Sequence, residues 1–404
     1  LTQVGGENRD EIEVESGVVL DHLNAHLQHG HQWFPVDPST GSRATLGGMA
    51  GNNSAGARSL RYGTMADNVS AIEVVLPDGR KLWLGAEESE DSHMPTELAF
   101  LRNLYAHNAT EIIQRTPKTM RNVAGYNLAS LNPNQENLAQ LLVGSEGTLA
   151  FFVRLRLKLK PLLRSRVLGI CHFNGLLEAL DTVQHIVKLN PTAVELVDQN
   201  VLSLGARHPD FRSAMSDFVT GTPKALLLVE FAEELPGTEM GGKLNELEEL
   251  LSELGHPNSV VRAETEALQS AAWSVRKAGL NIVMSMAGPR KPISFIEDCA
   301  VPLEHLSNYA RHVDEIFSKH GVEGTWYAHA SVGCLHVRPA LNLRDSSDVR
   351  RMRAIAEETH EVVRRYEGTH SGEHGDGLLR SEFIEPMLGK QMQQIFGEVK
   401  KTFD

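Results

Sequence analysis

The chain has 404 residues, 41% apolar and 23% charged, enough for two or three domains with their own cores. Its net charge of −13 excludes nucleic acid as a partner, because phosphate binding needs a basic face, but admits a small anion if a few Arg and Lys reverse the field locally. Three widely spaced cysteines, Cys171, Cys299 and Cys334, form neither a disulfide framework nor a CxxC site.

In chain order, Glu11 to Val18 alternates like a strand and runs into a helix near residues 19–29. A glycine-rich segment, 41–63, follows. Residues 69–76 and 81–84, joined by Pro77-Asp78-Gly79-Arg80, read as a β-hairpin, and a helix is predicted over 97–114. Residues 149–159 alternate apolar with basic side chains, the pattern of a half-buried strand that Pro161 ends. From residue 162 strands and helices alternate. Strands are predicted at 166–173, 193–198, 226–231, 259–263, 293–301 and 325–337. Helices are predicted at 176–189, 243–254, 264–284, 303–320 and 348–366, with a last helix over 381–402. The expected division is 1–161, 162–368 and a C-terminal segment 369–404 returning to the first domain.

Two glycine-bearing stretches lack Cβ atoms where a phosphate or a flat ring needs close approach: Ala44 to Gly56, and Gly144-Ser145-Glu146-Gly147-Thr148. Neither is a GxGxxG turn after a strand or a P-loop, and glycine content alone leaves a structural loop and a cofactor site both open. The combination is more specific. Pro35-x-Asp37, Thr45-Leu46-Gly47-Gly48, Arg61-Tyr62-Gly63 and Gly144-Ser145-Glu146-Gly147-Thr148, in this order, resemble the FAD-binding domain of the vanillyl-alcohol-oxidase type. The similarity extends over nearly the whole chain to the D-lactate, glycolate and D-2-hydroxyglutarate dehydrogenases. It implies an α+β fold: an FAD-binding domain lacking its N-terminal part, an α+β substrate (cap) domain with an antiparallel sheet, and a C-terminal helical return. It places FAD against Pro35, Thr45, Gly47, Gly48, Asn53, Gly56, Tyr62, Gly63, Gly144, Gly147 and Thr148. The family's earlier pyrophosphate-holding loop would lie upstream of Leu1, and Gly5-Gly6 is too short to replace it. With no initiator Met and an amphipathic run at the end, the chain is expected to be part of something longer.

His329 and His336, with Glu373 further on, supply two imidazoles and a carboxylate, a common set for catalytic Zn²⁺ that Mn²⁺ or Fe²⁺ also accepts. Hydrogen-bonded polar residues at a domain interface are the ordinary alternative. On an unbroken strand a spacing of seven puts the two histidines on opposite faces, and Gly333 is expected to supply a bulge or bend. The resemblance makes His329, His336 and Glu373 the metal ligands and His374 the catalytic base. For Arg276 and Lys291 a solvated surface charge is the ordinary reading. The resemblance makes Arg276 and Lys291 the pair that binds the substrate carboxylate. Arg338 stands where an Asn is usual, and suits either a second carboxylate or a structural pair with Glu297 or Asp298. Leu280 stands where a Thr would help hold substrate.

These readings converge on an FAD-dependent dehydrogenase of D-2-hydroxy acids. D-2-hydroxyglutarate and D-lactate are the leading substrates, with glycolate third. The expected electron acceptor is an iron–sulfur domain outside this chain, a quinone or an electron-transfer protein. A metal-dependent hydrolase and a non-catalytic flavin sensor each explain part of the pattern. No apolar run is long enough to span a membrane, and residues 1–10 lack a signal-peptide core. The expected location is the cytoplasm, in solution or at the membrane periphery.

Overall fold

Leu20, Leu23 and Leu27 repeat at helical spacing, and the helix Leu20–Leu27 buries all three. They share a core with Ile12, Val14, Ile72, Leu155 and Leu157 from a four-stranded antiparallel sheet. The computed structural model describes residues 10–85, 95–135, 137–235, 237–238 and 240–404. Gly5-Gly6 and the side chain of Leu280 lie outside the described residues, as does the first-ten-residue segment apart from Asp10. The strand order is Glu11–Glu15, Phe151–Lys158, Val69–Val75, Lys81–Gly85. The apolar–basic alternation of Phe151–Lys158 now has a cause. Leu155 and Leu157 face the core, while Arg154 meets Glu73 at 2.6 Å and Arg156 meets Glu13 at 3.0 Å on the other face.

Two compact units emerge. The first takes the described parts of Leu1–Pro117 with Asn122–Leu162 and Ser371–Asp404; the second takes Lys118–Arg121 and Leu163–His370. The C-terminal helix Lys390–Phe403 puts Met392, Ile395, Phe396, Val399 and Phe403 into the first unit's core. Gly125 lets Phe396 in, since a Cβ there would lie 2.3 Å from its ring.

The second unit is built on an eight-stranded antiparallel sheet. Its order is Val260–Ala263, Ser165–Phe173, Ala225–Glu233, Ala193–Asp198, Gly324–His329, Cys334–Leu341 and Lys291–Pro292, with Cys299–Ala300 also on Cys334–Leu341. Ala193–Asp198 is buried at every residue, the mark of a strand covered on both faces. Gly169 faces the helix Gly241–Glu253, where a Cβ would strike Leu247. Leu168, Ile170, Leu226 and Leu228 face the other way, into a core with the helices Gln199–Gly205, Pro209–Ser216 and Glu266–Met284.

Several elements differ from expectation. Residues 293–301 were expected as one strand, but only Lys291–Pro292 and Cys299–Ala300 pair, because Asp298 takes a left-handed backbone (φ 66°) that breaks the run. The last helix divides at Gly389 (φ 96°) into Ile384–Leu388 and Lys390–Phe403. The glycine-rich segment contains a short helix, Leu46–Asn52, capped by Thr45, and the helices Gln199–Gly205 and Pro209–Ser216 had no counterpart in the sequence reading. No helix among the described residues is long and apolar enough to cross a membrane.

Candidate functional site

The first unit holds a cleft of about 970 Å³, at the upper end of the range for small-molecule sites. Its floor joins the two glycine stretches. Gly144 N donates to Ala50 O at 2.9 Å and Glu146 N to Gly51 O at 2.8 Å, so the 144–148 turn is fastened onto the helix Leu46–Asn52. Gly144 and Gly147 both have positive φ, 87° and 70°, which the tight turn demands. Thr45, Gly47, Gly48, Gly147 and Thr148 line the cleft. The other predicted flavin residues are placed elsewhere. Asn53 and Gly144 border a smaller neighbouring cavity, and Asn53 Oδ1 accepts from Ala66 N at 2.9 Å. Gly56 packs on Asp37, where a Cβ would sit 2.1 Å from Oδ1, and Gly63 backs onto Asp67. Pro35 is buried, and Tyr62 stacks edge-on against Trp33 with centroids 5.4 Å apart. These residues shape the loop around the cleft and do not line it.

His374 does line the cleft, and its Nε2 lies 3.3 Å from Glu373 Oε1. Their loop is held from beneath by groups the sequence reading passed over. Glu146 accepts from Asp376 N at 2.7 Å and Gly377 N at 3.0 Å, and Asn52 Nδ2 donates to Glu373 O. Gly375 (φ 85°) is required, since a Cβ would lie 2.4 Å from Glu146 Oε1.

In the second unit His329 and His336 do not lie on one strand. Ala330–Val332 forms a 3-10 turn, Gly333 takes a left-handed backbone (φ 70°), and the chain reverses. Gly324–His329 and Cys334–Leu341 pair antiparallel, with Tyr327 opposite His336 and His329 opposite Cys334. Paired residues share a face, so the two histidines become diagonal neighbours, with ring centroids 5.1 Å apart. The expected bulge or bend at Gly333 takes the form of a turn, and the spacing of seven is resolved by reversal.

Glu195, which the sequence reading missed, stands opposite His329 on the next strand. Its Oε1 accepts from His329 Nδ1 at 2.8 Å, and its Oε2 meets Arg276 Nη2 at 2.5 Å. Burial pushes the Glu195 carboxyl up, but His329, Arg276 and the buried Arg121 outweigh it, holding the group below its ordinary value. A buried Glu inside an apolar strand run was the available signal, since such a carboxylate needs partners. Arg276 is 8% exposed, lies 5.1 Å over the Tyr327 ring, and its buried Nε makes no hydrogen bond. Trp273, one turn earlier on the helix Glu266–Met284, donates to Glu230 Oε2 at 3.1 Å. Arg338 pairs through Nε with buried Glu297, the structural partner foreseen for it, and Lys291 Nζ donates to Met286 O at 2.5 Å.

The chain belongs to the FAD-linked oxidase family: the family model described as FAD linked oxidases, C-terminal domain, matches residues 162–404. The model of the FAD binding domain matches residues 5–85. The chain is 30% identical over 421 residues to the D-2-hydroxyglutarate dehydrogenase of Escherichia coli (strain K12), covering 97% of this chain and 40% of that protein. It is 27% identical to glycolate oxidase subunit GlcD of Bacillus subtilis (strain 168), covering 97% and 72%, and 25% identical to a D-lactate dehydrogenase of Anaerostipes hadrus, covering 97% and 73%. The chain therefore spans about 40% of the length of the D-2-hydroxyglutarate dehydrogenases it matches. A solved alkyldihydroxyacetonephosphate synthase shares the fold, with TM-score 0.61 and 16% identity over 98% of this chain and 62% of that one.

Proposed function

We propose that this chain is the flavin- and substrate-binding core of an FAD-dependent dehydrogenase that oxidises a D-2-hydroxy acid to the 2-oxo acid. The observation that carries the reading is the sheet face of the second unit. Two histidines stand side by side there, one pinned by a buried carboxylate, next to a buried guanidinium whose Nε makes no hydrogen bond.

The donors fit a divalent ion. A carboxylate paired with Arg276 stays ionised and only accepts, so His329 carries its hydrogen on Nδ1 and its lone pair on Nε2, as a ligand must. His329, His336 and Glu373 would hold the metal, Zn²⁺ first and Mn²⁺ or Fe²⁺ by the same donors. The cleft of the first unit fits a flavin in size, and its floor at Gly47, Gly48 and Gly147 carries no side chains. When bound, the ion supplies charge that favours loss of the hydroxyl proton, and FAD supplies the acceptor for the hydride. Arg276 and Lys291 grip the substrate carboxylate. Arg338, steadied by Glu297, reaches a second carboxylate where the substrate has one. His374 takes the hydroxyl proton at Nε2 or Nδ1, a step suited to imidazole near neutral pH.

D-2-hydroxyglutarate and D-lactate are the leading substrates and glycolate the third. The partner this chemistry needs is an electron acceptor outside the chain: an iron–sulfur domain, a quinone or an electron-transfer protein. Three buried free thiols suit a reducing compartment such as the cytoplasm.

The test is anaerobic. The full-length protein is purified, its visible flavin band recorded, and each D-2-hydroxy acid added without oxygen. Bleaching by one of them is expected. A flavin band that none of them bleaches overturns the substrate assignment, and no flavin band even after FAD is supplied overturns the dehydrogenase reading.

A further inference from the structure

We infer that Glu195 is a positioning residue that orients both the metal ligand His329 and the carboxylate-binding Arg276; the inference rests on the roles just proposed for those two residues. Glu195 is 1% exposed, in the middle of a strand buried at every position. A carboxylate there is costly unless both oxygens are engaged. They are divided between two residues on different elements. Oε1 takes the Nδ1 hydrogen of His329 on the neighbouring strand, and Oε2 lies against Nη2 of Arg276 on the long helix above the sheet.

Each contact fixes something the proposed chemistry requires. The bond to Nδ1 sets the tautomer and locks the ring plane, so that Nε2 presents its lone pair in one direction. The ion pair anchors one end of the guanidinium, and the Tyr327 ring supports its face at 5.1 Å. The Nε edge, buried and without a hydrogen bond, is thereby held for a second anion. One buried group thus sets two binding residues in register, His329 by a hydrogen bond and Arg276 by an ion pair, and neither can rotate without breaking that contact.

The experiment measures Zn²⁺ binding to the full-length, metal-stripped protein by competition with a chromophoric chelator, for the unaltered protein and for Glu195→Gln. The variant keeps the shape but loses the charge and allows the amide to present either end to Nδ1. Zn²⁺ affinity is expected to fall about 10- to 100-fold, the usual effect of losing a partner behind a ligating histidine. An affinity within twofold of the unaltered protein overturns the inference. An unaltered protein that binds no Zn²⁺ removes the metal reading together with it, whereas an unaltered protein that binds and an unchanged variant remove only the role of Glu195. Should the variant not fold, ¹⁵N-histidine spectra of the unaltered metal-free protein decide. A hydrogen on Nδ1 of His329 supports the inference, and a hydrogen on Nε2 overturns it.

Discussion

His374 and Arg338 show how differently two of the proposed site residues are held. His374 borders the cleft and is more than a third exposed, so replacing it costs little in folding. In His374→Ala the flavin band is expected to persist while substrate-driven flavin reduction slows at least about 100-fold, followed anaerobically by stopped flow. Normal reduction would remove its role as base. Arg338 is buried and paired with Glu297, so its loss removes an ion partner from a buried carboxylate. Its assignment predicts selectivity. In Arg338→Ala, kcat/KM for D-2-hydroxyglutarate is expected to fall at least about 10-fold more than for D-lactate, since a lost charge-assisted hydrogen bond costs about 1.5–3 kcal/mol. An equal fall for both makes Arg338 structural only.

Strands and turns carry the next level. Asp198 closes the strand Ala193–Asp198, caps the helix Gln199–Gly205 by accepting from Val201 N, and accepts from Trp326 N, each at 2.9 Å. Burial nonetheless raises its carboxyl to about 6 from 3.8. Its folded value lies above its unfolded one, so the native state binds the proton more tightly between about pH 4 and 6. Stability from this group is complete below about pH 4 and is lost as pH rises through about 6. Asp198→Asn is therefore expected to shrink the drop in thermal midpoint between pH 4.5 and 6.5, and an unchanged drop would mean that Asp198 titrates normally. The same level shows what the sequence could and could not convey. The strands at 166–173, 193–198 and 226–231 were legible because their apolar runs are nearly continuous, and the five long helices of the second unit because their apolar residues recur at helical spacing. The hairpin over 324–341 read as one strand. Ala330-Ser331-Val332 carries only the weak turn signal of Ser331, and Gly333 alone marks the reversal strongly, where a Cβ would lie 2.1 Å from Val301 O. Partnership was the least legible property. The residue types of the candidate site stood out, but not that Glu195 joins His329 to Arg276, or that Glu146 holds the 373–377 loop. Those depend on neighbours far apart in sequence.

Across the whole molecule, the first unit's core depends on the end of the chain. Five buried side chains of Lys390–Phe403 are worth about 1.5–3 kcal/mol each, together comparable to the entire stability of a domain. Deleting residues 390–404 is therefore expected to leave the first unit unfolded, seen as loss of its near-ultraviolet circular dichroism and of flavin retention. A shortened protein that keeps both would show that the remaining core suffices. The return also has a consequence in time. Apart from Lys118–Arg121, the second unit is one continuous stretch, Leu163–His370, and it is made before the helix that completes the first. About 240 residues separate Leu162 from that helix's end, and at roughly 5–20 residues per second a ribosome needs on the order of 12–50 seconds to supply them. Throughout that interval the earlier-made half waits with its apolar surface uncovered while the later-made half folds. That surface therefore stays open to self-association for longer than in a unit built from one stretch.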